Sequence, residues 1–279
     1  MRNPAKATHL SHFGVELVAG DLDSEPALLA LLDNAHALIH GAGAVRGNSQ
    51  QDFDRVNVEG MAALLRAVRD HAPDLRMVHL SSIVAREPEL SFYSRSKRRG
   101  EDLLRLQPDL NWVALRPPAV YGPGDREMLP IFQTMKRGFA TLPGSPHART
   151  SLIHVSDLTH AIIACLETDA ARGSAARGQI FELGDPVDGG YSWAELAAIG
   201  AKVFARPVRL WQVPGPLLDG VAAANSALAR LTGSAPMLTP PKLRELRHPD
   251  WVADNGPIQA ATDWRPRIAF EQGLSALAL

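Results

Sequence analysis

Short apolar runs and longer stretches of helical period alternate along most of this 279-residue chain. Residues 15–19 (Val-Glu-Leu-Val-Ala) alternate apolar and polar side chains and predict a strand ending at Gly20-Asp21-Leu22. Ala37-Leu38-Ile39-His40, Met77-Val78-His79-Leu80 and residues 112–115 are compact apolar runs, the form of strands buried on both faces. Between these runs, Ser24 is placed to cap a helix through Leu32. Residues 51–70 put Val56, Met61, Leu64, Leu65 and Val68 on one helical face, and residues 93–106 read as another helix. Strands alternating with helices in this way predict an α/β, doubly wound parallel sheet.

Beyond Gly124 the spacing changes. A helix over 127–137, a loop over 138–150, a strand over 151–155 and a helix through Leu166 are predicted, followed by a surface loop over 169–179. A strand over 180–185, a helix over 193–204 and an apolar helix over 214–231 come next, and residues 248–266 close the chain with loops and a short helix. The expected division is a Rossmann-like unit over 1–187, with 125–149 contributing to a cleft, and a smaller, mostly helical substrate domain over 188–279.

Composition narrows the class. Hydrophobic residues make up 46 % of the chain, enough for a sizeable core, and the net charge of −1 comes with scattered arginines, which argues against a nucleic-acid partner. The one cysteine, Cys165, lies in an apolar helical series and reads as a buried side chain, so no disulfide framework is expected. No signal-like start and no apolar run of membrane-spanning length are present, so a cytoplasmic enzyme is the expectation. Ten histidines include no His-x-x-x-His with a carboxylate partner, so no metal site is expected.

The chemistry concentrates between residues 80 and 97. Tyr93 and Lys97 stand at i and i+4 on one helix face, where an ammonium near a phenol favours phenolate and draws the tyrosine toward a useful proton donor or acceptor. Ser82 ends the 77–80 strand, and strand C-termini face the ligand crevice of open α/β sheets. Ser81 is an alternative for the same role, and a strand-end cap is the plainer reading of Ser82. The succession of Leu80-Ser81-Ser82, Tyr93-Ser94-Arg95-Ser96-Lys97 and Arg116-Pro117-Pro118-Ala119-Val120-Tyr121-Gly122-Pro123-Gly124-Asp125 resembles the extended short-chain dehydrogenase/reductase family. That family includes nucleotide-sugar epimerases and dehydratases and 3β-hydroxysteroid dehydrogenase-like reductases.

The resemblance implies that Tyr93 is the general acid/base, that Lys97 lowers its pKa and binds the nicotinamide ribose, and that Ser82 polarises the substrate oxygen. It places Asp21 and Leu22 at the adenine, the loop Gly41-Ala42-Gly43 beside the adenosine and phosphates, and Pro117 at the nicotinamide. Asn57 would brace the active-site strand. Arg2 would meet the 2′-phosphate of NADP, giving a slight preference for NADP over NAD. Taken alone, Asp21 is a turn residue, Asn57 a solvated helix residue and Arg2 a terminal one.

By the same comparison, the first βα unit and second strand are missing, on the order of 30 residues. Met1 is therefore expected to be a miscalled start, with a Gly-x-x-Gly-x-x-Gly segment encoded upstream, and the chain as written to bind cofactor weakly and to aggregate.

The function implied is an NAD(P)-dependent oxidoreductase acting on a carbonyl or secondary alcohol. Trp211 and a helix carrying Leu217, Leu218 and Leu231 are expected to form an apolar wall suited to a lipid- or steroid-like substrate, a keto group on a sphingoid or other acyl chain being one case. The alternatives are a nucleotide-sugar epimerase or dehydratase, with Arg149, Arg244 or Arg247 reaching a diphosphate, and a non-catalytic assembly subunit. A small-molecule substrate is the expected partner, with no nucleic acid and no membrane span. The reading leaves room for a weak peripheral membrane contact and a homodimer.

Overall fold

The computed structural model describes residues 3–171, 175–232 and 238–277. Its chain starts with a 3-10 segment, Pro4–Phe13, and a helix α1, Glu25–Leu32. The runs read as buried strands become β1 (Ala37–His40), β2 (Arg76–Leu80), β3 (Trp112–Arg116) and β8 (Gln179–Glu182), hydrogen-bonded in the order β1-β2-β3-β8. All three pairings are parallel, with Ile39 opposite Val78, Val78 opposite Val113 and Leu115 opposite Phe181.

Alternation along each strand sends neighbouring side chains to opposite faces. Met77 and Trp112 join Leu28, Met61, Leu64 and Leu104 beneath α1, α3 (Gly60–His71) and α4 (Phe92–Arg105). Val78, Val113 and Leu115 join Ile153, Ala161 and Ile258 beneath α6 (Val155–Ala171) and α10 (Gly256–Ala261). The result is the Rossmann-like, doubly wound sheet that the alternation of elements predicts.

The remaining strands are short. The strand β4 (Ala119–Tyr121) pairs with β7 (Leu152–His154), and β5 (Phe139–Leu142) pairs with β10 (Arg209–Gln212). A third ladder sets β6 (Arg149–Thr150) between β9 (Tyr191–Ser192) and β11 (Asp250–Trp251). The helices α5 (Leu129–Lys136), α7 (Trp193–Val203) and α11 (Phe270–Ala276) enclose a further core around Tyr121, Phe132 and Phe270. The chain's other late helices are α8 (Gly215–Thr232) and α9 (Pro240–Arg247). Among the described residues, no helix is long and apolar enough to cross a membrane.

Three expectations are corrected. Residues 15–19 form no strand, because an alternating pattern becomes a strand only when a neighbour completes its ladder, and β1 is the edge of the sheet among the described residues. The helix expected over 51–70 is continuous over 50–71 but not uniform: a π-helical turn, Arg55–Glu59, lies between α2 (Gln50–Asp54) and α3. Trp211 and Leu217 do not form the expected apolar wall, being 73 % and 59 % exposed and lining neither cavity, while Leu218 is half-buried and the Leu231 side chain lies outside the described residues. Two helices, α9 and α11, were not predicted at all.

The helices α2 to α4 reach close approach at one glycine. A Cβ on Gly100 would lie 2.8 Å from the Asn57 carbonyl oxygen, which is backbone and has little freedom to retreat. Gly100→Ala is therefore expected to lower stability by about 1–3 kcal/mol, as overpacking does. Urea denaturation of the variant checks this, and an unchanged midpoint would show that the π turn and α4 part without penalty.

Candidate active site

The helix α4 is held at its start by Ser91, an N-cap whose hydroxyl accepts from the Ser94 amide at 2.9 Å. This sets Tyr93 in the first turn and Lys97 one turn later on the same side. Ser82 leaves β2 in extended conformation and begins the 3-10 turn Ile83–Arg86, whose first amide donates to the Pro117 carbonyl at 3.0 Å. The Ser82 hydroxyl lies close enough to the Tyr93 phenol to favour its ionised form. Ser81 takes a different role: it is buried and donates to Glu101 at 2.6 Å. That leaves Ser82 as the hydroxyl of the pair that meets Tyr93.

The expected effect of Lys97 on Tyr93 is not what the structure shows. Burial pushes the Tyr93 phenol up to about 12, the Ser82 hydroxyl opposes the rise, and the nearby Glu245 charge adds to it. Lys97 itself donates to the Leu80 carbonyl at 2.9 Å and is drawn down to about 8 by burial, with Glu101 opposing. His40 and His79 stack with ring centroids 5.1 Å apart. Burial, and secondarily Lys97, holds His40 down at about 4, and the same two causes with His40 hold His79 well below its ordinary range. Both rings are thus neutral beside the one ammonium.

On the other side of Lys97 the loop after β1 passes close. A Cβ on Gly43 would lie 3.3 Å from both the Lys97 Nζ and the Asn57 Oδ1, so only glycine leaves this space open. Asn57 is buried and satisfied on both ends of its amide. Its Oδ1 accepts from the Ala44 amide at 2.7 Å, and its Nδ2 donates to the Ala44 carbonyl at 3.0 Å and to Ser96 Oγ at 2.8 Å. It ties the loop to α4 rather than bracing β2 directly.

Two cavities flank this centre. One, of about 290 Å³, is lined by Gly20, Asp21, Leu22, Asp23, Ala42, Gly43, Arg55 and Val56. It gathers four of the residues expected around an adenosine, and adds Arg55 and Val56; the latter had been read as a core residue. Gly41 and Pro117 line neither cavity, although Pro117 is buried against the Ser82 turn. Arg2 lies outside the described residues. The open space at Gly43 and this cavity suit the adenosine and ribose portions of a dinucleotide.

The second cavity, of about 240 Å³, opens on Tyr93. Val45, Phe53, Phe92, Pro240 and Pro241 supply its apolar faces, and Arg46, Ser226, Lys242 and Glu245 its polar ones. Phe53 packs on the Tyr93 ring at 6.0 Å between centroids. Its two cations are already paired, Arg46 with Glu127 at 2.6 Å and Lys242 with Glu245 at 2.5 Å. The arginines considered for a diphosphate are engaged elsewhere. Arg149 binds the Gly189 and Gly190 carbonyls, Arg244 the Leu90 carbonyl, and Arg247 Asp219 and the Gly215 carbonyl.

Sequence reasoning passed over Glu101, Arg116, Lys242 and Glu245. Signals existed for all but Arg116. Glu101 continues the i, i+4 series of Tyr93 and Lys97, and Thr239-Pro240-Pro241 is a cap followed by prolines in the first helical turn, the ordinary start of a helix.

The NAD dependent epimerase/dehydratase family matches residues 1–184. The ceramide reductase of Caulobacter vibrioides is 36 % identical over 244 residues, which is 88 % of this chain and 74 % of the relative. The 2-alkyl-3-oxoalkanoate reductase of Stenotrophomonas maltophilia is 25 % identical over 300 residues, 99 % of this chain and 89 % of the relative. The fold is shared with the UDP-glucuronic acid 4-epimerase of Bacillus cereus, solved with UDP-glucuronic acid and NAD. That likeness has a TM-score of 0.71 at 17 % identity and covers 97 % of this chain and 84 % of the other.

The lowered Lys97 pKa has a consequence for stability. Lys97 is about 8 when folded and 10.5 when unfolded, so between these values the unfolded chain binds the extra proton and stability rises with pH. The rise is opposed from pH 9 by Cys165, raised to about 11 by burial, and above 10 by Tyr93, raised to about 12, each holding a proton that the unfolded chain has lost. Urea denaturation at pH 8 and pH 10 is expected to show a gain for the wild type that is smaller or absent in Lys97→Met. Equal pH dependence in the two proteins would rule out a buried, strained ammonium.

Proposed function

The chain belongs to the NAD dependent epimerase/dehydratase family, and we propose that it is a nicotinamide-dependent reductase of an uncharged, lipid-like ketone, run in either direction. The bound dinucleotide supplies or accepts the hydride. Tyr93 gives a proton to the carbonyl oxygen during reduction and takes it back during oxidation, and Ser82 holds the same oxygen by a hydrogen bond. Lys97 and Asn57 hold the ribose side, while Asp21, Leu22, Gly41, Ala42 and Gly43 contact the adenosine and phosphates, with Pro117 at the nicotinamide. NADP is the preferred dinucleotide on the strength of Arg2 alone. Residues 1–187 form the cofactor unit in this reading, and 188–279 complete the substrate side.

One observation carries the choice of substrate. The cavity on Tyr93 has apolar walls, and both of its cations are neutralised by carboxylates of the chain itself. A diphosphate would meet cations whose charge Glu127 and Glu245 already offset, whereas an acyl chain buries apolar surface and needs no positive partner. The ceramide and oxoalkanoate reductases among the relatives are named for substrates of the same character. A keto group on a sphingoid or other acyl chain is the concrete case.

The test is consumption of NADPH or NADH with a panel containing N-acylated 3-ketosphinganine, long-chain 3-oxo esters, a 3-ketosteroid, UDP-glucose and UDP-glucuronic acid. Turnover confined to the nucleotide sugars would overturn the proposal. With the preferred ketone, Tyr93→Phe is expected to lower kcat about 100-fold or more while cofactor affinity stays near wild type.

The wall is tested separately. Val45→Asp, which puts a charge on an apolar face of the cavity, is expected to raise KM for a long-chain ketone about tenfold or more. Dinucleotide binding, measured by fluorescence titration, should be unaffected. A wild-type KM in the folded variant would place the substrate elsewhere.

A further inference from the structure

The helix α9 brings an ion pair with a buried carboxylate to the catalytic tyrosine, and no step of the proposed reaction uses it. Thr239 caps this helix, accepting from the Lys242 amide at 3.4 Å, and Pro240 and Pro241 fill its first turn. Leu243 is buried, and Arg244 donates to the Leu90 carbonyl at 2.8 Å, which docks α9 on the segment entering α4. This geometry leaves Lys242 and Glu245, three residues apart, pointing at the first turn of α4.

Glu245 is 2 % exposed. It accepts from the Ser91 hydroxyl and, at 3.2 Å, from the Ser94 hydroxyl, the two residues that bracket Tyr93 in the chain. Lys242 donates to Glu245 at 2.5 Å, and its Nζ lies 5.8 Å from the Tyr93 ring centroid. A helix N-terminus carries partial positive charge, which favours an anion within the first turn. Glu245 takes the place of that anion, so its charge opposes the formation of phenolate at Tyr93, and Lys242 offsets part of the opposition.

Other charged groups on the elements packed against α4 are engaged or turned away. Arg86 is bound to Glu182 and the Asp250 carbonyl, Asp54 to Arg99, and Asp52 caps its own helix. Arg55 and Glu59 of the π turn are exposed, and Lys97 on α4 is turned to the Leu80 carbonyl.

We propose that Lys242 and Glu245 are positioning residues for the reaction: Glu245 holds the turn that carries Tyr93, Lys242 covers its ring, and together they set how readily Tyr93 gives up its proton. This rests on Tyr93 being the acid/base of the reading above. Both side chains line the substrate cavity, so a substrate that draws Lys242 away from Glu245 changes the field on the phenol when it binds.

The pH profile of kcat/KM for NADP-dependent oxidation of N-acyl sphinganine tests the proposal, because its rising limb reports the base in the free enzyme. Glu245→Gln, which keeps hydrogen-bonding capacity, is expected to move that limb about one unit to lower pH, since a negative charge beside Tyr93 has been removed. Lys242→Gln, on a side chain that is one-third exposed, is expected to move it to higher pH, and Glu245→Asp to restore most of the wild-type profile. Limbs that stay at the wild-type pH in both Gln variants, with only kcat or stability altered, would reduce the pair to a structural clasp and overturn the proposal. Tyr93→Phe in the same assay separates the two levels. Retained turnover there would remove the acid/base reading itself, whereas lost turnover with unmoved limbs would remove only the role of the pair.

Discussion

A carboxylate with no exposed surface organises the centre of this molecule. Glu101 accepts from Arg116 at 2.8 and 2.7 Å and from Ser81 at 2.6 Å. A charge can be buried this deeply only with its partners in place, and removing one partner of such a set typically costs about 3–5 kcal/mol. The three residues of this set come from just after β2 (Ser81), the end of β3 (Arg116) and the second half of α4 (Glu101). The hydroxyl of Ser82 and the phenol of Tyr93 therefore stand at a separation fixed by neighbours that take no part in the chemistry.

The elements that proved legible are those whose instructions are local. The buried strands 37–40, 77–80 and 112–115 carry their signal in their own composition, and Tyr93 and Lys97 reveal their common face by spacing alone. Ser82 could be placed because a strand end is a recognisable position. What failed depended on partners. Residues 15–19 have the pattern of a strand but no ladder, and Leu217 and Trp211 have the composition of a wall but face solvent. No pattern within 214–231 states which of its faces meets the rest of the chain. The walls of the cavity come instead from Val45 and Phe53 near the start and Pro240 and Pro241 near the end, a juxtaposition made by the fold.

The two cavities have opposite characters. On the Gly43 side, small residues leave room, and the polar groups nearby, Asn57 and Lys97, are fixed by hydrogen bonds to Ala44, Ser96 and Leu80. On the Lys242 side, aromatic and proline faces surround a charge pair that neutralises itself. His40 and His79, both neutral, keep Lys97 the one buried cation between them.

The π turn at Arg55–Glu59 reconciles two phases of one helical segment. Downstream, Met61, Leu64, Leu65 and Val68 must face the sheet; upstream, Phe53 must reach Tyr93 and Asn57 must reach Ala44 and Ser96. Each residue of a regular helix turns the chain by about 100°, so uniform pitch would satisfy one set and swing the other off target. The wider turn absorbs that mismatch, as such turns often do at functional sites. Core and site here are consequently independent in angle though continuous in chain. The residue count across this turn is a constraint in its own right, so that losing a single residue between 55 and 59 would disturb the site more than replacing any of their exposed side chains.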